Sequence, residues 1–123
     1  MKHFYKISAY LLLIGVVHTA LTPLFYEQLS EDALWFAGTG LALIYLSLLN
    51  IAAEKSRAKW MLKICLAANL AGLIYGVLIV LALPGILAFV SLLIFLAVTI
   101  GSAYALLESL KLKNLEESNN AAG

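Results

Sequence analysis

The stretch WMLKICLAANLAGLIYGVLIVLALPGILAFVSLLIFLAVTIGSAYALL, Trp60 to Leu107, decides the architecture of this chain. It holds a single charged residue, Lys63, about one turn from its start. Pro84-Gly85 divides it into two apolar runs, Trp60 to Leu83 and Ile86 to Leu107. Roughly 20 apolar residues in helical form cover the ~30 Å of a bilayer's hydrocarbon. Backbone amides in hydrocarbon find no water, so each run has to pair its own as an α-helix. Proline lacks an amide hydrogen and glycine accepts tight turns, so the Pro-Gly pair predicts a sharp reversal and an antiparallel helical hairpin. Lys63 is near enough to its helix end to snorkel to the interface.

Toward the N-terminus lie two more runs of the same kind, about Ile7 to Tyr26 and about Ala33 to Ala53. Ser30-Glu31-Asp32 reads as an N-cap followed by acids in a first turn, which suits the positive end of a helix dipole. Glu54 to Lys59 is a short charged loop. The predicted fold is therefore all-α: a polytopic membrane protein with four transmembrane helices in an antiparallel bundle. Residues 1–110 form a single domain, with spans at about 7–26, 33–53, 60–83 and 86–107, followed by a polar tail, 111–123. The last residues, from Glu116 on, carry few apolar side chains and are expected to fray. Composition agrees with this reading. The chain of 123 residues is 63% hydrophobic and 12% charged, with a mean hydropathy of +0.98. A soluble domain is about half apolar and about a quarter charged, and a globule this small has too little interior to hide the excess. Alternating ten-residue strands are absent, which excludes a β-barrel. The first run is too long for a signal-peptide core and no small-residue cleavage site follows it, so it reads as a retained signal anchor.

Orientation follows from the positions of lysine and arginine. All eight fall on one side of the predicted bilayer: Lys2 and Lys6 before the first span, Lys55, Arg57, Lys59 and Lys63 around the second loop, Lys111 and Lys113 in the tail. The first loop carries Glu27, Glu31 and Asp32 instead. Both termini are expected in the cytoplasm, and the strength of the bias disfavours a dual-topology pair. Tyr5, Tyr10, Tyr26, Trp35 and Trp60 fall near predicted interfaces, as aromatic belts do. Net charge is only +1, so nucleic acid is not an expected partner. Membrane lipids are, and the location that fits is the inner membrane of a bacterium.

Helices in lipid associate where small residues let backbones approach. Ala68-x3-Gly72-x3-Gly76, Ala97-x3-Gly101-x3-Ala105 and Gly38-x3-Ala42 supply such stripes, read as packing within one bundle. Asn69 is expected to bond between helices. Thr99 and Ser102 are expected to bond their own i−4 carbonyls. Cys65, the one cysteine, reads as a small apolar filler.

The residues that could carry chemistry are few. His18 is the ionisable side chain well inside a span, and such groups are costly unless paired or used. Gly15, His18, Thr19 and Thr22 share one broad helix face. Pro23 frees the carbonyl of Thr19. Trp35 and Thr39 on the second helix, and Tyr75 on the third, fall at the same depth. A ligand-binding cavity lined by His18, Thr19, Thr22, Trp35, Thr39 and Tyr75 is thus expected, apolar with a few convergent polar groups. The competing reading is that His18 bonds a carbonyl or a threonine and stitches two helices together. Haem would want a second strong axial ligand, and His3, the other histidine, lies on the opposite side. No cofactor is implied beyond a quinone as a candidate ligand, and no metal site is expected.

Gly15-Val-Val-His18-Thr19-x3-Pro23-x2-Tyr26 resembles the first-helix signature of DoxX-like small membrane proteins, and Trp35 to Tyr45 is in keeping with their glycine-rich second helix. The resemblance covers about the first 50 residues and the four-span plan. It implies a four-helix membrane bundle and, for some members, a link to quinone oxidoreduction. Small multidrug transporters are similar in length and span number, but they need an acidic residue within the first helix, and this chain has none there. The expected function is binding of a small apolar ligand, quinone or lipid-like, in an outer-leaflet pocket near the first helix. The alternative is an accessory subunit that recognises another membrane protein. Catalysis with His18 as general base is the weakest reading, since no second catalytic group accompanies it.

Overall fold

In the computed structural model, residues 2–122 are described; side chains at 2–5, 113, 116 and 121–122 lie outside that description, and with them the expected interfacial place of Tyr5. Four helices follow one another: α1 (Lys2–Phe25), α2 (Glu31–Ser56), α3 (Lys59–Ala82) and α4 (Ile86–Ala122). Each is long and apolar enough to cross a membrane. Ser30 caps α2, its Oγ accepting from the Ala33 amide at 3.2 Å. Arg57 closes the same helix in a left-handed conformation, φ 54°, and its amide donates to the Ala53 carbonyl at 3.0 Å. α3 ends at the residues before Pro84-Gly85, and its reversal into α4 makes the expected hairpin.

The tail differs from expectation. α4 continues to Ala122 rather than ending near Leu107 with a tail that frays from Glu116 on. No glycine or proline interrupts residues 102–122. Leucine, lysine and glutamate there are good helix formers, and a helix already nucleated upstream adds one bond per residue fixed. Every described side chain from Leu110 to Asn120 is exposed, so this extension stands clear of the bundle.

Packing is closest within two hairpins, α1 with α2 and α3 with α4; α2 meets α3, and α1 meets α4, much more lightly. On the α1–α2 seam Gly15 and Gly40 face each other. A Cβ on Gly15 would come within 2.9 Å of the Gly40 carbonyl oxygen, and one on Gly40 would overlap the Thr19 hydroxyl. In the second hairpin Gly72 and Gly76 seat the Phe95 ring, and a Cβ on either would press on that ring at about 3.0 Å. Gly38-x3-Ala42 is not a packing stripe. A Cβ on Gly38 would meet nothing within 4 Å.

Polar side chains share the interior with a small apolar cluster of Leu11, Ala53, Leu62, Cys65, Val98 and Ala105, while most large aliphatic side chains face outward. Ser8, Ser47, Asn50, Asn69, Thr99 and Ser102 are buried, whereas Leu81, Ile86, Leu87 and many other aliphatic side chains are exposed. A soluble bundle would bury far more of its leucines than Leu11 and Leu62. Here the buried hydroxyls and amides bond across helices, which is what holds helices together where the surroundings are as apolar as leucine. Ser47 donates to the Ser8 carbonyl, joining α2 to α1. Asn50 and Asn69 join α2 to α3 by a reciprocal amide pair at 3.0 and 2.7 Å. Thr99 donates to its own i−4 carbonyl, Phe95, at 2.7 Å, as expected, and also to the Asn69 carbonyl of α3 at 3.1 Å. Ser102 bonds the i−3 carbonyl of Thr99 at 2.9 Å rather than i−4. Cys65 is more than filler: its Sγ lies 3.1 Å from Asn50 Oδ1, inside the same polar group.

Candidate functional site

The two hairpins diverge above the amide pair. Asn50 and Asn69 sit toward the end of the bundle that carries Lys55, Arg57 and Lys59. From there toward the end that carries Glu27, Glu31 and Asp32, α2 and α3 separate and leave a cleft of about 480 Å³. Its α2 wall is the helical series Trp35, Gly38, Thr39, Ala42, Leu43 and Leu46; its α3 wall is Ala68, Gly72 and Tyr75; Phe95 of α4 closes the back. At 1.5 Å rise per residue the α2 wall, Trp35 to Leu46, is about 16 Å long. Small residues make the volume. Gly38 and Ala42 hold α2 back, and Gly72 lets the Phe95 ring lie flush against α3.

Polar groups are few and sit toward the end nearer Glu31 and Asp32. The Thr39 hydroxyl donates to the Trp35 carbonyl at 3.0 Å, so it is satisfied within its own helix. The Trp35 indole Nε1 donates to Glu31 Oε1 at 3.4 Å, so the indole is tied to a carboxylate at the mouth. Trp35 and Tyr75 are 70% and 50% exposed, so the mouth opens onto the bundle surface between α2 and α3.

Of the six residues expected to line one cavity, Trp35, Thr39 and Tyr75 come together in this cleft, and His18, Thr19 and Thr22 do not. The glycine contact between α1 and α2 is the reason. It brings the two helices into close backbone contact at this level, so that Thr19 packs on Gly40 rather than lining the cleft. Thr19 donates to the Gly15 carbonyl at 2.9 Å and lies against Gly40. The His18 imidazole stacks on the Phe36 ring, centroids 3.9 Å apart and planes within 20°. Phe25 and Tyr26 flank the same ring at 5.8 and 5.6 Å. His18 thus meets α2 by ring stacking and by a hydrogen bond with the Phe36 backbone, not through a threonine. The Thr22 hydroxyl is buried and has no hydrogen-bond partner among the described residues. Phe36 and Trp35 are neighbours in sequence on different faces of α2, one serving the seam and the other the cleft.

Gly38, Ala42, Leu43, Leu46, Ala68, Gly72 and Phe95 are lining residues that sequence reasoning missed. The signal was the i, i+4, i+7 spacing of Trp35, Thr39 and Ala42, and of Ala68, Gly72 and Tyr75, which puts each set on one face. Ala68 and Gly72 read equally well as a packing stripe. A second groove, about 330 Å³, runs along the α1–α4 seam past Ile7, Tyr10 and Leu93, and is almost wholly aliphatic, with little to orient a ligand. Comparisons with protein-family models, with curated proteins and with solved structures find no match to this chain.

Proposed function

We propose that this protein is a multi-pass protein of the bacterial inner membrane, with both termini in the cytoplasm, that binds a small apolar molecule in the cleft between α2, α3 and α4. A quinone and a lipid-like chain are the two ligand types that suit the site. With the basic end inside, the mouth at Trp35 and Tyr75 faces the outer leaflet. The DoxX-like reading belongs to the same proposal, since a four-helix plan and the signature Gly15, His18, Thr19, Pro23 and Tyr26 are what it rests on.

The observation that carries the proposal is the cleft itself: about 480 Å³, apolar, walled by Trp35, Tyr75 and Phe95, and held open by small residues. Small-molecule sites are concave, largely pre-formed and of about 300–1,000 Å³. Gly38 offers a direct test, because a side chain there projects into open space and not into a helix. Thermal unfolding in mild detergent is followed with a panel of quinones and membrane lipids. A true ligand at about 100 times its Kd stabilises by about 2.7 kcal/mol. Gly38→Leu is expected to abolish that shift while leaving the ligand-free transition in place, and His18→Ala to retain it. An undiminished shift in Gly38→Leu, or no shift with any compound, overturns the proposal.

A further inference from the structure

The chemistry around the mouth narrows what the cleft accepts. The charged groups at that end of the chain are Glu27, Glu31 and Asp32, and every lysine and arginine belongs to the other end. Glu31 is not merely nearby, since its Oε1 takes the Trp35 indole hydrogen at 3.4 Å. Asp32, three residues before Trp35, shares its helix face. Trp35 and Tyr75 present aromatic rings at the same opening. Aromatic faces beside carboxylates attract ammonium groups: the ring quadrupole and the anion act in the same direction. An anionic head meets the opposite field. A phosphate would find no lysine or arginine at this end to pair with.

Resting on the proposed function above, we propose that the cleft selects a cationic amphiphile, one with a single apolar tail and an ammonium head. The tail lies along the ~16 Å wall from Trp35 to Leu46, and the head stays at the rim, between the Trp35 and Tyr75 rings and the carboxylates of Glu31 and Asp32. The narrow, mostly aliphatic depth discriminates little among tails of similar width. Selection by charge therefore belongs to the rim, where desolvation is incomplete and each contact is modest.

The test uses the full chain in an uncharged detergent, with Trp60→Phe so that Trp35 is the one fluorescent indole. A straight-chain alkylamine, the alcohol of the same length and the corresponding carboxylate are titrated against it. The amine is expected to bind tightest and the carboxylate weakest. Glu31→Gln with Asp32→Asn is expected to weaken the amine about five- to tenfold and to leave the alcohol unchanged, the range expected for two exposed ion-pair contacts. Gln keeps an oxygen acceptor for the Trp35 indole, so the ring is not released. Added salt is expected to weaken the amine alone. Equal binding of amine and alcohol, or an amine affinity indifferent to the double substitution, overturns the charge selection and leaves the cleft proposal standing. Gly38→Leu is expected to remove binding of all three; binding that survives it, or no binding of any probe to the parent protein, overturns the cleft proposal as well.

Discussion

Asn50 and Asn69 each place a primary amide where no water reaches, and each is fully buried. The pair is self-satisfying: each side chain donates one hydrogen to the other's oxygen. Asn50 also donates to the Leu46 carbonyl at 2.7 Å. Polar contacts between membrane helices contribute only about 0.6 kcal/mol on average, yet an amide left without its partner costs about 1–3 kcal/mol. That asymmetry makes a prediction. Asn50→Leu and Asn69→Leu are each expected to destabilise by about 1–3 kcal/mol. The double substitution is expected to cost less than the sum, with a coupling of about 1–2 kcal/mol. Denaturant unfolding of the four proteins in mixed micelles measures it, and strictly additive losses would contradict the pairing. The stacking of His18 on Phe36 is a seam contact, and substitution there is expected to affect stability before any ligand.

At the scale of elements, α2 is the helix that does two jobs. One face, Phe36, Gly40 and Ser47, is pressed against α1. Another, Trp35, Gly38, Thr39, Ala42 and Leu46, is held away from α3. The two glycines sit one on each face, so the same chemical change should have opposite results. Gly40→Ala drives a methyl into Thr19 and is expected to cost about 1–3 kcal/mol, the range for overpacking. Gly38→Ala meets no atom and removes a glycine from a helix interior, which is expected to be neutral or to stabilise by up to about 1 kcal/mol. Thermal unfolding of the two variants side by side decides the matter, because helix propensity changes identically in both. α4 shows the complementary effect. Past Leu107 it continues by propagation from the packed part, with every described side chain from Leu110 to Asn120 exposed.

For the molecule as a whole, the arrangement is two tight hairpins joined at one end by the Asn50–Asn69 pair and parted at the other by the cleft. The Asn50–Asn69 tie lies in the halves of α2 and α3 nearer their connection, which the structure shortens from the expected Glu54–Lys59 loop to Arg57-Ala58. Charge is just as unevenly distributed, with all eight cations at the tied end, and this asymmetry predicts the threading. In a Cys65→Ala background, a cysteine at Gln28 is expected to react with a membrane-impermeant maleimide applied from outside. A cysteine at Ser118 is expected to react only after the membrane is opened. The reverse pattern, or labelling of both from outside, would refute the cytoplasmic placement of the termini.

Four helices, their order, the Ser30 cap and the Pro84-Gly85 reversal were legible in the chain itself. Each depends on local chemistry: run length against bilayer thickness, a missing amide hydrogen, a side-chain oxygen at a helix start. Asn69 as a bond between helices was legible for a related reason, since a buried amide has to find a partner somewhere. Which partner it finds, Asn50, and which of α2's faces closes and which stays open, were not. Gly15, Gly38 and Gly40 look alike in sequence, and only the approach of α1 makes Gly40 a contact and leaves Gly38 facing space. Depth along a helix can be counted residue by residue. Rotation about the helix axis cannot, because it is set by how whole faces fit together, and that rotation separated His18, Thr19 and Thr22 from Trp35, Thr39 and Tyr75.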